Sequence, residues 1–371
     1  LEVVGVFTGI IGQREGLSTS VVARWTGFGR WGSGLIGIVV ALSLTGWFGV
    51  QTAVSAESLK TIIPVGPLWM WSLLFGLAVT AIVVYGFNSM AWVAYVTVPA
   101  FILLAGYLVI VKLTEYDIAV LATQAPAGPV LSLGAGATLV AGGFIVGMVT
   151  TPDMTRFNRT AKDVVKQTLL GVTLGELVMC VAGVLLAHAL RTDSVVDIVT
   201  SSSGFVGTLI IISGTLKIND WNLYSSTLGI VNALQTSFGV VVNRRVVTVI
   251  VGVLGSVLAA LGILDHFIDF LIVLGVVIPP VAGIMVTEYF LVRTWRAELS
   301  RSAPNLPAKE PTLIVGTLVV WAIAALVGYY VTWGISSLNS LVSAVVLYLV
   351  FAKTGLLKPL SVQPARFGVG L

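Results

Sequence analysis

Lys217-Ile218-Asn219-Asp220-Trp221-Asn222 is the most polar stretch within any long apolar run of this chain. A lysine, an aspartate and two asparagines cannot face lipid cheaply, and such groups usually mark a ligand or ion path. The competing reading is a shorter span with these residues at its inner end. A second pairing is Trp47 with Gln51 in Gly46-Trp47-Phe48-Gly49-Val50-Gln51. Four residues apart, they share one helix face. An indole plane beside a carboxamide suits a flat, amide-bearing ligand: the ring stacks and the amide donates and accepts. A lipid-belt Trp with a snorkelling Gln is the alternative, and the mid-span position of Trp47 argues against it. Glu176 also lies mid-span, either as a site member or as a protonated partner in an interhelical hydrogen bond.

Two features bear on backbone shape. The run LSLGAGATLVAGGFIVGMVTT, residues 131–151, holds five glycines. Glycine permits a broken helix whose freed backbone groups face a ligand, and equally a small-residue packing face. Pro279-Pro280 must break its helix, as a hinge or as a packing device. His188 and His266 are peripheral and far apart, and Cys180 is the only cysteine. No paired intramembrane acids, HExxH motif or nucleotide-binding loop occurs, so neither an enzyme nor an ATP-driven pump is expected.

These residues sit in long apolar segments of the length that crosses a bilayer. Ten full spans are expected: 33–56, 67–87, 91–113, 131–151, 167–190, 204–226, 246–264, 267–291, 312–333 and 336–352. Residues 1–11 read as the last half of another. Sixteen of the 20 Lys and Arg fall in the segments 13–30, 152–166, 227–245, 292–311 and 353–371, which the positive-inside rule places in the cytoplasm.

Composition agrees. Of 371 residues 57% are hydrophobic and 10% charged, and mean hydropathy is +1.03. A soluble domain carries roughly 25% charged residues. The bilayer is therefore the solvent, and 1–371 forms a single transmembrane domain. The net charge of +4 reports topology rather than a nucleic-acid partner.

In order along the chain, GIIGQREGLSTSVVARWTGFGRWGS, TGWFGV, GGFIVGMVTTPDMTRFNRTAK, NDWNLYSSTLGIVN and VIPPVAGIMVTEYFL resemble the second-helix loop and the third, sixth, eighth and tenth helices of the nucleobase–cation symporter family, purine–cytosine permease branch. The resemblance implies an all-α integral membrane fold, the leucine-transporter-like inverted repeat. Twelve helices are then expected, with the first and half of the second missing from this chain.

The resemblance also implies roles. The ligand would lie between Trp47 and Phe144, with Gln51 matching the hydantoin-transporting pattern and Asn219 the eighth-helix Asn; Asn222 joins this substrate set. Leu44 and Val146 stand where the cytosine-transporting member has polar groups. Where the family's eighth helix supplies hydroxyls to sodium, this chain has Lys217 and Ile218. The ammonium brings its own charge and can stand where the ion would, with Glu176 or Asp220 as partner.

The expectation is an alternating-access permease of the plasma (inner) membrane. It imports a nucleobase-like heterocycle such as cytosine or a purine, coupled to a proton (or sodium) gradient. The alternative is a permease for allantoin, hydantoin or a thiamine-precursor pyrimidine. No cofactor, metal or obligate protein partner is expected.

Overall fold

The computed structural model describes residues 2–126, 130–201, 204–302 and 306–365, with Phe87 and Asn88 described in backbone only. Leu1 and Arg366, counted above in the first partial helix and in the cytoplasmic set, lie outside the described residues. Nearly all regular structure is helical, because in hydrocarbon each backbone N–H and C=O must find its partner within the segment. The principal helices are α1 (Glu2–Glu15), α2 (Gly29–Ile62), α3 (Leu68–Val84), α4 (Phe87–Thr114), α5 (Leu133–Val149) and α6 (Ala161–Leu190). They continue with α7 (Gly204–Phe238), α8 (Arg244–Ala260), α9 (Phe267–Val277), α10 (Pro279–Thr287), α11 (Val315–Tyr330) and α12 (Ser336–Lys353).

Among the described residues six helical segments are long and apolar enough to cross a membrane: Arg24–Ile62, Ser89–Thr114, Leu133–Thr155, Ala161–Leu190, Ile263–Val292 and Ser336–Lys353. Leu68–Val84 and Val315–Tyr330 are apolar but shorter. On α4, Trp92, Tyr95, Leu103 and Tyr107 are exposed, as a lipid-facing surface requires.

The scaffold is the antiparallel pair α2–α7. Where they cross, a Cβ on Gly37 would meet the Gly229 carbonyl at 2.9 Å, and a Cβ on Gly229 would meet the Gly37 carbonyl at 2.6 Å. Only two glycines allow that approach. From there polar side chains join the helices at steady intervals. Ser226 Oγ donates to the Ala41 carbonyl (2.9 Å) and lies 2.8 Å from Thr45 Oγ1. Asn219 reaches Phe48 and Thr52, Ser55 Oγ lies 2.6 Å from Thr215 Oγ1, and Ser58 Oγ donates to Thr208 at 3.0 Å. Small and hydroxylic residues at helix contacts are how membrane helices associate when lipid supplies no hydrophobic driving force between them.

The glycine-rich run forms one continuous helix, α5, and its interruption falls at Thr150, before the short turn Pro152–Thr155. Two of its glycines serve packing: a Cβ on Gly142 would meet the Leu271 carbonyl at 2.0 Å, and one on Gly134 the Gly334 carbonyl at 1.9 Å, whereas one on Gly136 or Gly143 would meet nothing within 4 Å. Pro279 and Pro280 divide α9 from α10 at Ile278. The Val277 carbonyl at that break accepts from Trp321 Nε1 of α11 at 2.8 Å, which satisfies a group left open where Val281 N–H bonds the Ile278 carbonyl at 3.0 Å instead.

At the charged end, β1 (Lys309–Pro311) pairs antiparallel with β2 (Val362–Pro364), with Glu310 opposite Gln363. Glu310 is fully buried between Arg24 (3.2 Å) and Arg30 (3.6 Å). Arg24 also donates to Asn232 and Thr236 of α7 at 3.2 and 2.7 Å. Loop, helix end and tail strand are thereby tied at one point.

Candidate functional site

The constant register of α2 against α7 sets the depth of each candidate group. Trp47 stands level with Asn222, and Gln51 with the turn Lys217–Asp220. Both Trp47 and Gln51 are half-buried. The Trp47 indole is gripped edge-on by two rings of α9: Phe267 at 5.7 Å and 81°, and Phe270 at 5.7 Å and 69°. T-shaped contacts of this kind hold an aromatic plane in one orientation. Gly46 makes room, since a Cβ there would meet the Phe270 ring at 2.7 Å.

Phe144 projects from α5 and is half-buried. Trp47, Phe144 and Phe270 all border one apolar cluster, yet among the described residues no ring contact joins Trp47 to Phe144. Leu44 and Val146, where the family resemblance would have polar groups, are 4% and 2% exposed and belong to that same core. The Gln51 carboxamide makes no hydrogen bond among the described residues; only its backbone carbonyl is engaged, by Ser55 Oγ at 2.9 Å. A hydrogen-bonding edge thus lies one turn from a fixed aromatic face.

The asparagines have a different position. Asn219 is fully buried, and its Nδ2 donates to the Phe48 carbonyl and to Thr52 Oγ1, both at 3.1 Å. Its Oδ1 accepts from Asn222 Nδ2 at 3.3 Å. Asn219 therefore braces the backbone that carries Trp47, and Asn222 braces Asn219.

Lys217 bonds both carboxylate oxygens of Asp220, at 2.9 and 3.0 Å. This pair spans one helical turn. The lysine is partly exposed, with 32% of its side chain accessible, and the aspartate is fully buried. Glu176, the other partner considered, is half-buried on α6 within the π-helical stretch Leu170–Leu177 and makes no ion pair among the described residues. Lys217 and Asp220 are thus brought together, and Glu176 stands apart. No cluster of His, Cys, Asp and Glu able to hold a metal ion occurs among the described residues.

Sequence reasoning passed over Phe267 and Phe270. Their signal was two aromatics three apart, one helical face, shortly before Pro279-Pro280. Nothing local distinguishes such a pair from lipid-facing rings.

Known proteins resemble this chain in sequence and fold. Residues 1–305 match the model of a family described as permeases for cytosine/purines, uracil, thiamine and allantoin. The cytosine permease of Escherichia coli (strain K12) is 30% identical over 294 residues, covering 77% of this chain and 67% of that protein. The hydantoin permease of Microbacterium maritypicum is 24% identical over 318 residues, covering 79% and 64%. Among solved structures, the inward-facing conformation of Mhp1 superposes with a TM-score of 0.76 at 19% identity, over 95% of this chain and 81% of that one. A substrate-bound, outward-open Na+-coupled sialic acid symporter gives 0.58 at 13%, over 97% and 85%. The fold is the leucine-transporter-like inverted repeat, all-α and multi-pass.

Proposed function

The chain belongs to the permease family for cytosine and purines, uracil, thiamine and allantoin, and from that premise we propose that it is a secondary active transporter that imports a nucleobase-like heterocycle, such as cytosine or a purine, across the plasma (inner) membrane by alternating access. The observation that carries this reading is the platform at Trp47. Its indole is held by Phe267 and Phe270, and the uncommitted carboxamide of Gln51 stands one turn away on the same face. A flat ring stacking on Trp47, with Phe144 on the facing helix, presents its amide edge to Gln51. Asn219 and Asn222 support the wall behind it.

The hydantoin-like Gln51, with apolar Leu44 and Val146, favours a second substrate class: allantoin, hydantoin or a thiamine-precursor pyrimidine, each a cyclic amide or ureide. For coupling, this reading takes Lys217, held by Asp220, as a tethered cation in place of a bound sodium ion, with the proton as the coupling ion. Transport then follows the proton gradient and needs no sodium. Uptake of labelled cytosine, uracil, hydantoin and allantoin into proteoliposomes, compared between sodium and choline buffers, tests both parts. Accumulation of none of the four contradicts the substrate reading; accumulation that requires sodium contradicts the coupling reading.

A further inference from the structure

A cavity of about 190 Å³ lies on the cytoplasmic side of the Trp47 platform, between the loop after α1, α2, α7 and the end of α5. Its position follows from the helices. On α2 it is floored by Gly37 and Val40, and Val40 is seven residues, or roughly 10 Å, from Trp47 along the same face. On α7 it begins at Tyr224, two residues beyond Asn222, and continues to Gln235.

Three buried polar atoms on lining residues have no hydrogen-bond partner among the described residues: Ser225 Oγ, Asn232 Nδ2 and Arg156 Nε. Ser225 is 4% exposed. Buried polar groups are almost always satisfied, and orphans sharing one cavity indicate a missing partner. Arg24 is paired with Glu310. Asp153 accepts from the Thr19 backbone N–H at 2.7 Å, and the Arg156 guanidinium lies 4.7 Å from the Phe157 ring. The lining thus offers mainly hydrogen-bond donors, which suits the carbonyl groups of a planar amide or ureide.

We propose that this cavity is a second, weaker binding station for the transported ring, a neutral planar amide or ureide, on its way from Trp47 to the cytoplasm; the proposal rests on the transport reading above. Asn232 and Arg156 donate to ring carbonyls, and Ser225 donates or accepts at a ring N–H or carbonyl.

The test is equilibrium binding of labelled cytosine, uracil, hydantoin and allantoin to the full chain in nanodiscs. Wild type should bind two equivalents of at least one ring, one tight and one weak. Trp47→Ala should impair the tight class and spare the weak one. Ser225→Ala should weaken the weak class about three- to tenfold, the range of one hydrogen bond, and leave the tight Kd unchanged. Leu228→Trp, which fills the cavity, should remove the weak class. A single equivalent, insensitive to Ser225→Ala and Leu228→Trp, overturns the second station and leaves the transport reading standing, as a cavity holding only ordered water would give. Binding of none of the four overturns both. A second measurement guards against misfolding: with Trp47→Ala and Cys180→Ala in place, thiol labelling of Leu228→Cys should slow when the bound ring is present. Labelling at an unchanged rate overturns the proposal.

Discussion

Asn219 donates its side-chain N–H to the backbone carbonyl of Phe48, the residue that follows Trp47, at 3.1 Å. The aromatic platform on α2 is thus referenced to α7 through a backbone bond rather than through lipid-sensitive packing alone. Asn219→Leu removes this bond, the one to Thr52 and the one from Asn222. Interhelical polar contacts in membranes are worth about 0.6 kcal/mol on average and about 1.7 at most. The variant should lose on the order of 1–2 kcal/mol of stability and bind substrate more weakly, read by thermal unfolding in detergent and by ligand binding. A variant with wild-type stability and affinity would show that the brace is idle.

Gly37 and Gly229 predict a graded pair of effects. Alanine at either brings a Cβ against the other's carbonyl, at 2.9 Å for Gly37→Ala and 2.6 Å for Gly229→Ala. Overpacking costs typically about 1–3 kcal/mol, and the tighter contact should cost more. Denaturation in mild detergent ranks the two; a reversed order would mean that the helices yield at this crossing.

At the substrate platform, stacking on an aromatic contributes about 1–3 kcal/mol per base. Trp47→Ala should therefore weaken binding by roughly one to two orders of magnitude, and Gln51→Leu should also weaken it by leaving the ring's amide edge unpaired. Phe270→Ala should act through Trp47, by freeing the indole from one of its two edge contacts. Its loss should be smaller than that of Trp47→Ala, and additive behaviour in the double variant would show that the two rings do not act together.

Lys217→Ala leaves Asp220 buried without its cation. Breaking a buried pair from one side is costly because the remaining charge is uncompensated. Transport should be abolished. Lys217→Arg, which keeps a positive charge beside Asp220, should retain binding. Wild-type uptake by Lys217→Ala, measured across several pH values, would assign the lysine to the surface instead.

What was legible in the sequence was what repeats locally. Trp47 and Gln51 on one face, and Lys217 one turn from Asp220, follow from helical spacing alone. The run 131–151 allowed two readings, and the close approach of Gly142 to Leu271 is visible only in three dimensions. The Phe267–Trp47–Phe270 grip joins residues some two hundred positions apart, so no local pattern announces it. Arg24 and Arg30 were countable only as cytoplasmic charge. Their burial against Glu310 depends on a strand pair formed between two chain segments far apart in sequence.

The most direct measurement of the central claim is uptake of labelled cytosine and hydantoin into proteoliposomes containing the full chain, wild type beside Trp47→Ala. Wild type should accumulate at least one ring, in choline as in sodium buffer, and that accumulation should be dissipated by a protonophore and lost in Trp47→Ala. Equal accumulation in Trp47→Ala, or none of either ring in wild type, would contradict it.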